Sequence, residues 1–381
     1  MCSSTLQVPE TGRDSVAWHG CSMCTQLYGP RFGRDANGAL TQLRRRVQRG
    51  HGAGAGHPGA WQEGRRLSVN KMLLFVALAT TAAAASALPT QFPPGWNGKA
   101  TRPPMAWRSW NAFLANIDDA LIRSNIDALV QKTKAGSSLW DVGFKSIGID
   151  EGWEGCGMGV DHTQHYANGT PAVNTKFPDM PALVAYGHGQ KDRVAMGFYQ
   201  NGCACGEHKE LLINYEGDVK ALVDFGPFDS VKLDGCGHQK NMSLYAALMN
   251  TSGKSYEIEN CHWGVVTEDD TSSAPTADWC PFNLFRTSGD IRQTWASWTR
   301  NLRTALPYLD KDTPISQPSC WAYPDMLQVG NLPTFEQNRA HFGAWLIISA
   351  PLYLGFDLRN RTLLESMWPI IGNTSRRETV I

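Results

Sequence analysis

The stretch "DSVKLDGCG", residues 229 to 237, sets two alternating apolar residues, Val231 and Leu233, ahead of a carboxylate. That carboxylate, Asp234, falls where a buried strand would stop and a loop begin. Other strand-like runs end in the same manner, with Asp150 and Glu151, Tyr199, Lys232 beside Asp234, Glu259 and His262, Arg286 and Asp290, and Asp325. Several carboxylates around one cavity suit glycoside cleavage, in which one carboxyl attacks or stabilises an oxocarbenium-like centre and a second protonates the leaving oxygen. The same groups could serve a divalent metal. That chemistry expects histidines at ligand spacing, however, and Lys232 and Arg286 beside the carboxylates would repel a cation. Sugar chemistry is therefore favoured, with no metal and no cofactor expected. Asp234 taken alone stays open, because an Asp-Gly pair also turns a strand end or caps a helix.

What must position these residues is an alternation of strand and helix signals that begins at Pro103. "MAWRSWNAF" precedes the helical "SNIDALVQKTKAG", "FKSIGID" precedes "PALVAYGHG", "RVAMGFYQ" precedes "HKELLINYEGDVKALVDF", and "DSVKLDG" precedes "MSLYAALMN". "SYEIEN" comes next, then "LFRTSGDI" before "WASWTRNLRTAL", "TPISQ" with "YPDMLQVG" before "FEQNRAHFGAWLIISA", and "PLYLGFDL" before "TLLESMWPIIG". The fifth helix is poorly defined. Such alternation predicts an α/β fold with a parallel sheet, and eight units predict a closed (β/α)₈ barrel over residues 103–372. An open doubly wound sheet that binds a nucleotide has little support, since no G-x-G-x-x-G follows the first strand. In a barrel, polar residues at C-terminal strand ends gather at one mouth.

Composition narrows the setting. The 381 residues, 42% hydrophobic and 10% aromatic, can bury one large domain, and 35 basic residues balance 35 acidic ones. That neutrality argues against a nucleic-acid partner. Fourteen tryptophans suit both an ordinary core and a site that stacks sugar rings. Residues 1–71 carry no apolar period and are expected to be unstructured or an upstream extension, with Met72 the true start. Residues 72–87 form an apolar core ending in Ala85-Ser86-Ala87, which predicts a signal peptide cleaved before Leu88. The apolar run falls short of the ~18 residues a membrane span needs, so no membrane anchor is expected. Residues 88–102 read as a linker and 373–381 as a short tail. Asn168, Asn241, Asn250, Asn360 and Asn373 open sequons, which supports export and glycosylation. Seven cysteines lie beyond the cleavage site, Cys156, Cys203, Cys205, Cys236, Cys261, Cys280 and Cys320. In an exported chain most should pair, and the odd count leaves one over.

The motifs taken together resemble glycoside hydrolase family 27, the melibiase-type α-galactosidases and α-N-acetylgalactosaminidases. "PPMAWRSWNAF" is similar to the family's "PPMGWxSWNxF", "IGIDEGW" to "xNIDDCW", "VKLDGCG" to "LKxDxC" and "RTSGDI" to "RxxxDI". "YPDMLQVGN" with "GAWLIISAPLYLGFDLRN" is similar to "DPDMLxxGN" and the helix and strand after it, so the resemblance covers about residues 103 to 371. It implies a retaining mechanism with Asp234 as nucleophile and Asp290 as acid and base. Lys232, on the strand of Asp234, is expected to hold the nucleophile ionised. By resemblance Trp107, Asp150, Glu151, Tyr199, Lys232, His262, Arg286 and Asp325 bind the sugar, Cys261 pairs with Cys280, and Cys236 pairs with Cys203 or Cys205. A third family bridge is missing, with Ala115 and Gly152 where its cysteines would be.

Four departures bear on function, the first three of them on substrate. Glu151 stands for the second Asp of the family's pair, His262 for the glutamate that reads the C2 hydroxyl, and Ala322 and Tyr323 for polar residues before Asp325. The barrel is also expected to stand without the family's usual C-terminal antiparallel β domain. The expected function is release of terminal α-linked galactose by an enzyme of the secretory pathway, extracellular, lysosomal or vacuolar. The alternatives are an α-N-acetylgalactosaminidase, a β-L-arabinopyranosidase, or a non-catalytic carbohydrate-binding barrel. Oligomeric state is left open, a homodimer included.

Overall fold

The computed structural model describes residues 96–373 apart from 191–192, 203–204, 208, 263–273, 277 and 311. The expected extension, signal peptide, most of the linker and residues 374–381 lie outside the described residues. Eight parallel strands run β1 (Met105–Arg108), β2 (Ser146–Gly148), β3 (Ala195–Gln200), β4 (Ser230–Asp234), β5 (Glu257–Cys261), β6 (Leu284–Arg286), β7 (Trp321–Tyr323) and β8 (Leu352–Leu354). They form one sheet in the order β7-β6-β5-β4-β3-β2-β1-β8. The seam between β7 and β8 is joined just past β7, where Leu327 bridges Leu354 in parallel and its N–H donates to the Tyr353 carbonyl at 2.7 Å. The barrel predicted from alternation is thus the architecture observed. One element differs: "TPISQ" forms no strand, and β7 lies at Trp321–Tyr323 instead, where side chains are fully buried on both faces.

The helices are α1 (Trp110–Phe113), α2 (Asp119–Val130), α3 (Met180–His188), α4 (Leu212–Asp224), α5 (Met242–Thr251), α6 (Trp295–Ala305), α7 (Phe335–Ile347) and α8 (Arg361–Ile371). Six of them begin at a residue whose side chain accepts from the helix's first turn: Asp118, Asp179, Asn241, Thr294, Thr334 and Asn360. Each such cap stabilises its helix by about 1 kcal/mol. Between β5 and β6 no helix occurs among the described residues, in line with the weak signal there.

Strand parity divides the core into two layers. Val231 and Leu233 on β4 and Trp107 on β1 point outward into the large apolar layer between sheet and helices. Ala106, Leu284, Tyr323, Met326 and Tyr353 form a smaller cluster inside the barrel, with Trp110 packed on it. Gly197 on β3 makes room inside, because a Cβ there would lie 2.7 Å from Ser230 Oγ and 3.2 Å from the Gly148 Cα. Long charged side chains from β1, β4 and β5 can therefore meet in the barrel.

Candidate active site

Inward parity on β4 places Lys232 and Asp234 on the same face as Asp150, which lies just past β2. Lys232 Nζ donates to both oxygens of Asp150, at 3.1 and 2.9 Å, and stands 3.7 Å from Asp234 Oδ2. Its ammonium also lies 5.0 Å from the ring centre of Tyr199, its register partner on β3. Asp150 Oδ1 accepts the Glu151 N–H at 3.0 Å, and Ser109 Oγ holds the Asp150 N–H at 3.0 Å. Burial disfavours the charge on Asp150, but Lys232 and Arg108 outweigh it and hold its carboxyl below the usual carboxylate range.

At Asp234 the balance goes the other way. Burial raises its carboxyl above the ordinary aspartate value, against the opposing pull of Lys232, and Asp150 adds to the rise. Lys232 does pull the carboxyl toward its ionised form, as expected, but its ammonium bonds Asp150 and reaches Asp234 only at 3.7 Å, so burial prevails. Asp234 is fixed in other ways. Its Oδ1 accepts the Cys236 N–H at 3.2 Å, and its carbonyl accepts from the amide of Asn201, a residue held at φ +68° just past β3. His262 lies against the following residue, since a Cβ on Gly235 would lie 3.0 Å from the His262 ring.

A second cluster centres on Arg286 at the end of β6. Its Nη2 bonds Asp325 at 2.9 Å, Asp290 at 3.2 Å and the Ser288 carbonyl at 3.0 Å. Its Nη1 lies 3.5 Å from the Cys261 sulfur, and Cys261 is the register partner of Asp234, so the two clusters adjoin. Asp325 also accepts the N–H groups of Ile291 and Met326 at 2.7 and 2.6 Å. Its carboxyl is pushed up to about 6 by burial, with Arg286 opposing. The Asp290 side chain is 57% exposed and opens on a 660 Å³ cavity shared with Ser288, Arg292 and Arg300. One buried carboxylate and one open to solvent are an arrangement that can divide attack from proton exchange.

Not every expected residue is at the mouth. Trp107 is fully buried in the outer layer, its indole N–H donating to the Phe356 carbonyl at 2.7 Å. Parity is the reason: Ala106 and Arg108 take the inward positions of β1, and Trp110 meets the inner cluster instead. Arg108 was missed. Its Nη2 bonds Glu259 at 2.6 Å across the barrel and its Nη1 is 3.7 Å from Asp150, all three groups buried. A basic residue two after Ala106 on a strand was the available signal.

The cysteines also differ from expectation. Cys280 pairs with Cys320 and Cys205 with Cys156, which rules out both the Cys261–Cys280 and the Cys236–Cys205 pairings. Cys261 is free and buried, because it faces into the barrel while Cys280 lies in the outer layer. Cys236 is disulfide-bonded, and Cys203 lies outside the described residues. Ala115 and Gly152 do lie side by side, a Cβ on Gly152 falling 2.5 Å from the Ala115 carbonyl oxygen. No cluster of three or more His, Cys, Asp or Glu side chains suited to a metal occurs among the described residues.

The segment that carries Glu151 is fastened by a buried histidine. His165 Nδ1 meets Glu207 Oε1 at 2.6 Å and its Nε2 meets Asp218 Oδ1 at 3.1 Å, while the Tyr245 hydroxyl donates to Asp218 Oδ2 at 2.6 Å. Burial disfavours the imidazolium, yet the two carboxylates outweigh it and push the His165 pKa up to about 9. Because the folded value lies above the unfolded ~6.5, this stabilisation is fully present below about pH 6.5 and is lost as pH rises through about 9. Thermal melts should therefore fall between pH 7 and 9.5 more steeply in the wild type than in His165→Gln. Parallel curves would remove His165 from that role.

The profile of the family described as alpha galactosidase A, Melibiase_2, matches residues 102–368. The chain is 31% identical over 279 residues to alpha-galactosidase 3 of Arabidopsis thaliana, covering 70% of this chain and 57% of that protein. It is 32% identical over 275 residues to the alpha-galactosidase of Coffea arabica, covering 69% and 66%. The structure of alpha-galactosidase I from Mortierella vinacea superposes with a TM-score of 0.60 at 25% identity, over 74% of this chain and 72% of that one. The chain spans roughly six-tenths of the length of the first curated relatives it matches, 57% and 63% of them.

Proposed function

Because the chain belongs to the alpha galactosidase A family of glycoside hydrolases, we propose that it is a retaining glycosidase that releases terminal α-linked galactose, with Asp234 as nucleophile and Asp290 as acid and base. The observation that carries this reading is the pairing of a buried carboxylate, Asp234, beside Lys232 with an open one, Asp290, on Arg286. In the first step the Asp234 carboxylate bonds the anomeric carbon as the glycosidic C–O bond breaks, and Asp290 gives its proton to the leaving oxygen. In the second, Asp290 takes a proton from water, whose oxygen displaces Asp234. Only ionised Asp234 attacks, so its raised pKa places the acid limb of kcat/KM above that of an exposed aspartate. Asp150, locked to Lys232, Glu151 and Tyr199 on one side and Arg286 with Asp325 and His262 on the other are the proposed sugar-binding groups.

Export is part of the proposal. The disulfides Cys156–Cys205 and Cys280–Cys320 suit an oxidising compartment, and among the described residues no helix is long and apolar enough to cross a membrane. The reading is tested by hydrolysis of aryl α-galactoside, aryl α-N-acetylgalactosaminide and aryl β-L-arabinopyranoside. Turnover of the first at a kcat/KM at least tenfold above the others supports it. Preference for another sugar would transfer the assignment to that sugar, and turnover of none would leave only a binding barrel.

A further inference from the structure

Four of the twelve large apolar side chains that stand open to solvent among the described residues meet at one pocket: Val160, Tyr166, Leu211 and Ile213, each 43% to 49% exposed. That pocket, 350 Å³ in volume, lies between the segment after β2 and the start of α4, with the His165–Glu207 pair in its lining. Patches of this kind mark a surface that something covers. The occupant's chemistry can be read from the lining. Asp161 and Glu207 are balanced by His165 and Lys209, so the pocket favours a neutral ligand, and its volume suits about one sugar ring. Apolar walls with carboxylates and the Asn214 amide among them match a pyranose, which has C–H faces and a hydroxyl edge.

One such ring has a fixed point of attachment beside the pocket. The sequon Asn168-Gly169-Thr170 forms a turn directly after the pocket residues Tyr166 and Ala167. Gly169 N–H donates to the Tyr166 carbonyl at 2.8 Å, and Asn168 Oδ1 accepts the Thr170 N–H at 3.0 Å. Gly169, at φ +77°, lies so close to the Ile213 carbonyl that no Cβ would fit, which pins the turn to the pocket wall. Asn168 itself is exposed. We propose that Asn168 carries an N-linked glycan whose first N-acetylglucosamine folds back over this pocket and covers the apolar patch. In the transfer, Asn168 Nδ2 loses one proton and bonds the sugar C1, while the C1–O bond to a lipid diphosphate donor breaks and the diphosphate leaves with the electron pair.

The test is glycopeptide mass spectrometry on the full chain secreted from a eukaryotic host, beside Thr170→Ala. That substitution removes the sequon but keeps the backbone N–H that Asn168 Oδ1 accepts. Asn168 should be occupied in the wild type and bare in the variant, and the variant should bind the dye bis-ANS severalfold more. A second measurement needs no variant. An endoglycosidase that leaves one sugar on each site should not change dye binding by the native protein, whereas an amidase that removes the whole glycan should raise it severalfold. Asn168 unmodified, alone or with every other sequon, or dye binding that does not respond to loss of the first sugar, would overturn the proposal. Hydrolysis of galactosides is not among the readouts, so the outcome is independent of the catalytic assignment.

Discussion

Asp234→Asn is expected to reduce kcat on an activated aryl α-galactoside by at least on the order of 10⁴-fold, the loss expected on removal of a nucleophile. The substitution is isosteric and removes a charge whose burial is unfavourable, so the thermal midpoint should hold or rise. Lys232 keeps its two bonds to Asp150 and is not stranded. Because loss of activity alone could reflect lost orientation, a second readout is needed. A 2-deoxy-2-fluoro galactosyl fluoride should trap the wild type as an ester on the peptide containing Asp234, and label elsewhere would reassign the nucleophile. Near-normal turnover by Asp234→Asn would mean that Asp234 serves only to end β4.

The largest effect on stability should come from Arg108→Met. Arg108 and Glu259 are bonded at 2.6 Å with side chains only 3% and 4% exposed, so removing the guanidinium leaves a buried carboxylate without its partner. Breaking such a pair from one side costs about 3–5 kcal/mol. In a barrel of this size that corresponds to a fall in thermal midpoint on the order of 10 °C. The double variant Arg108→Met with Glu259→Leu should recover most of the loss, since well-packed apolar groups replace buried ion pairs at little cost. Equal destabilisation of single and double variants would show that Arg108 acts by filling space. Arg108 also stands beside Asp150, so the rescued double variant should have weaker sugar binding than the wild type even when its stability returns.

The fold was legible because alternation of strand and helix is a repeated signal, and eight repeats leave few architectures. The same logic found the β4 end and the residues around Lys232, where parity is displayed by Val231 and Leu233. Trp107 was misplaced for want of that parity argument, since a motif gives residue order without saying which face a side chain takes. Cysteine pairing was beyond reach for a different reason. Cys261 and Cys280 are nineteen positions apart and pair by resemblance, but the barrel wall stands between an inward and an outward side chain. The electrostatics of Asp234 likewise depended on a distance, because Lys232 had two carboxylates to choose from and bonds Asp150. Arg108 stayed hidden because its partner is 151 residues away.

That separation also governs how the chain reaches its native state. The charged interior joins β1 to β5, and the indole of Trp107 bonds a carbonyl 249 residues further on, beside β8. Neither contact can form in a fragment ending at β4, which would have to expose Arg108 or bury it without Glu259. Half a barrel is therefore penalised electrostatically as well as by its open edges. The chain should assemble late and cooperatively, with its early intermediates holding the strands apart until the second half arrives, and an emerging N-terminal half would depend on protection from aggregation while it waits.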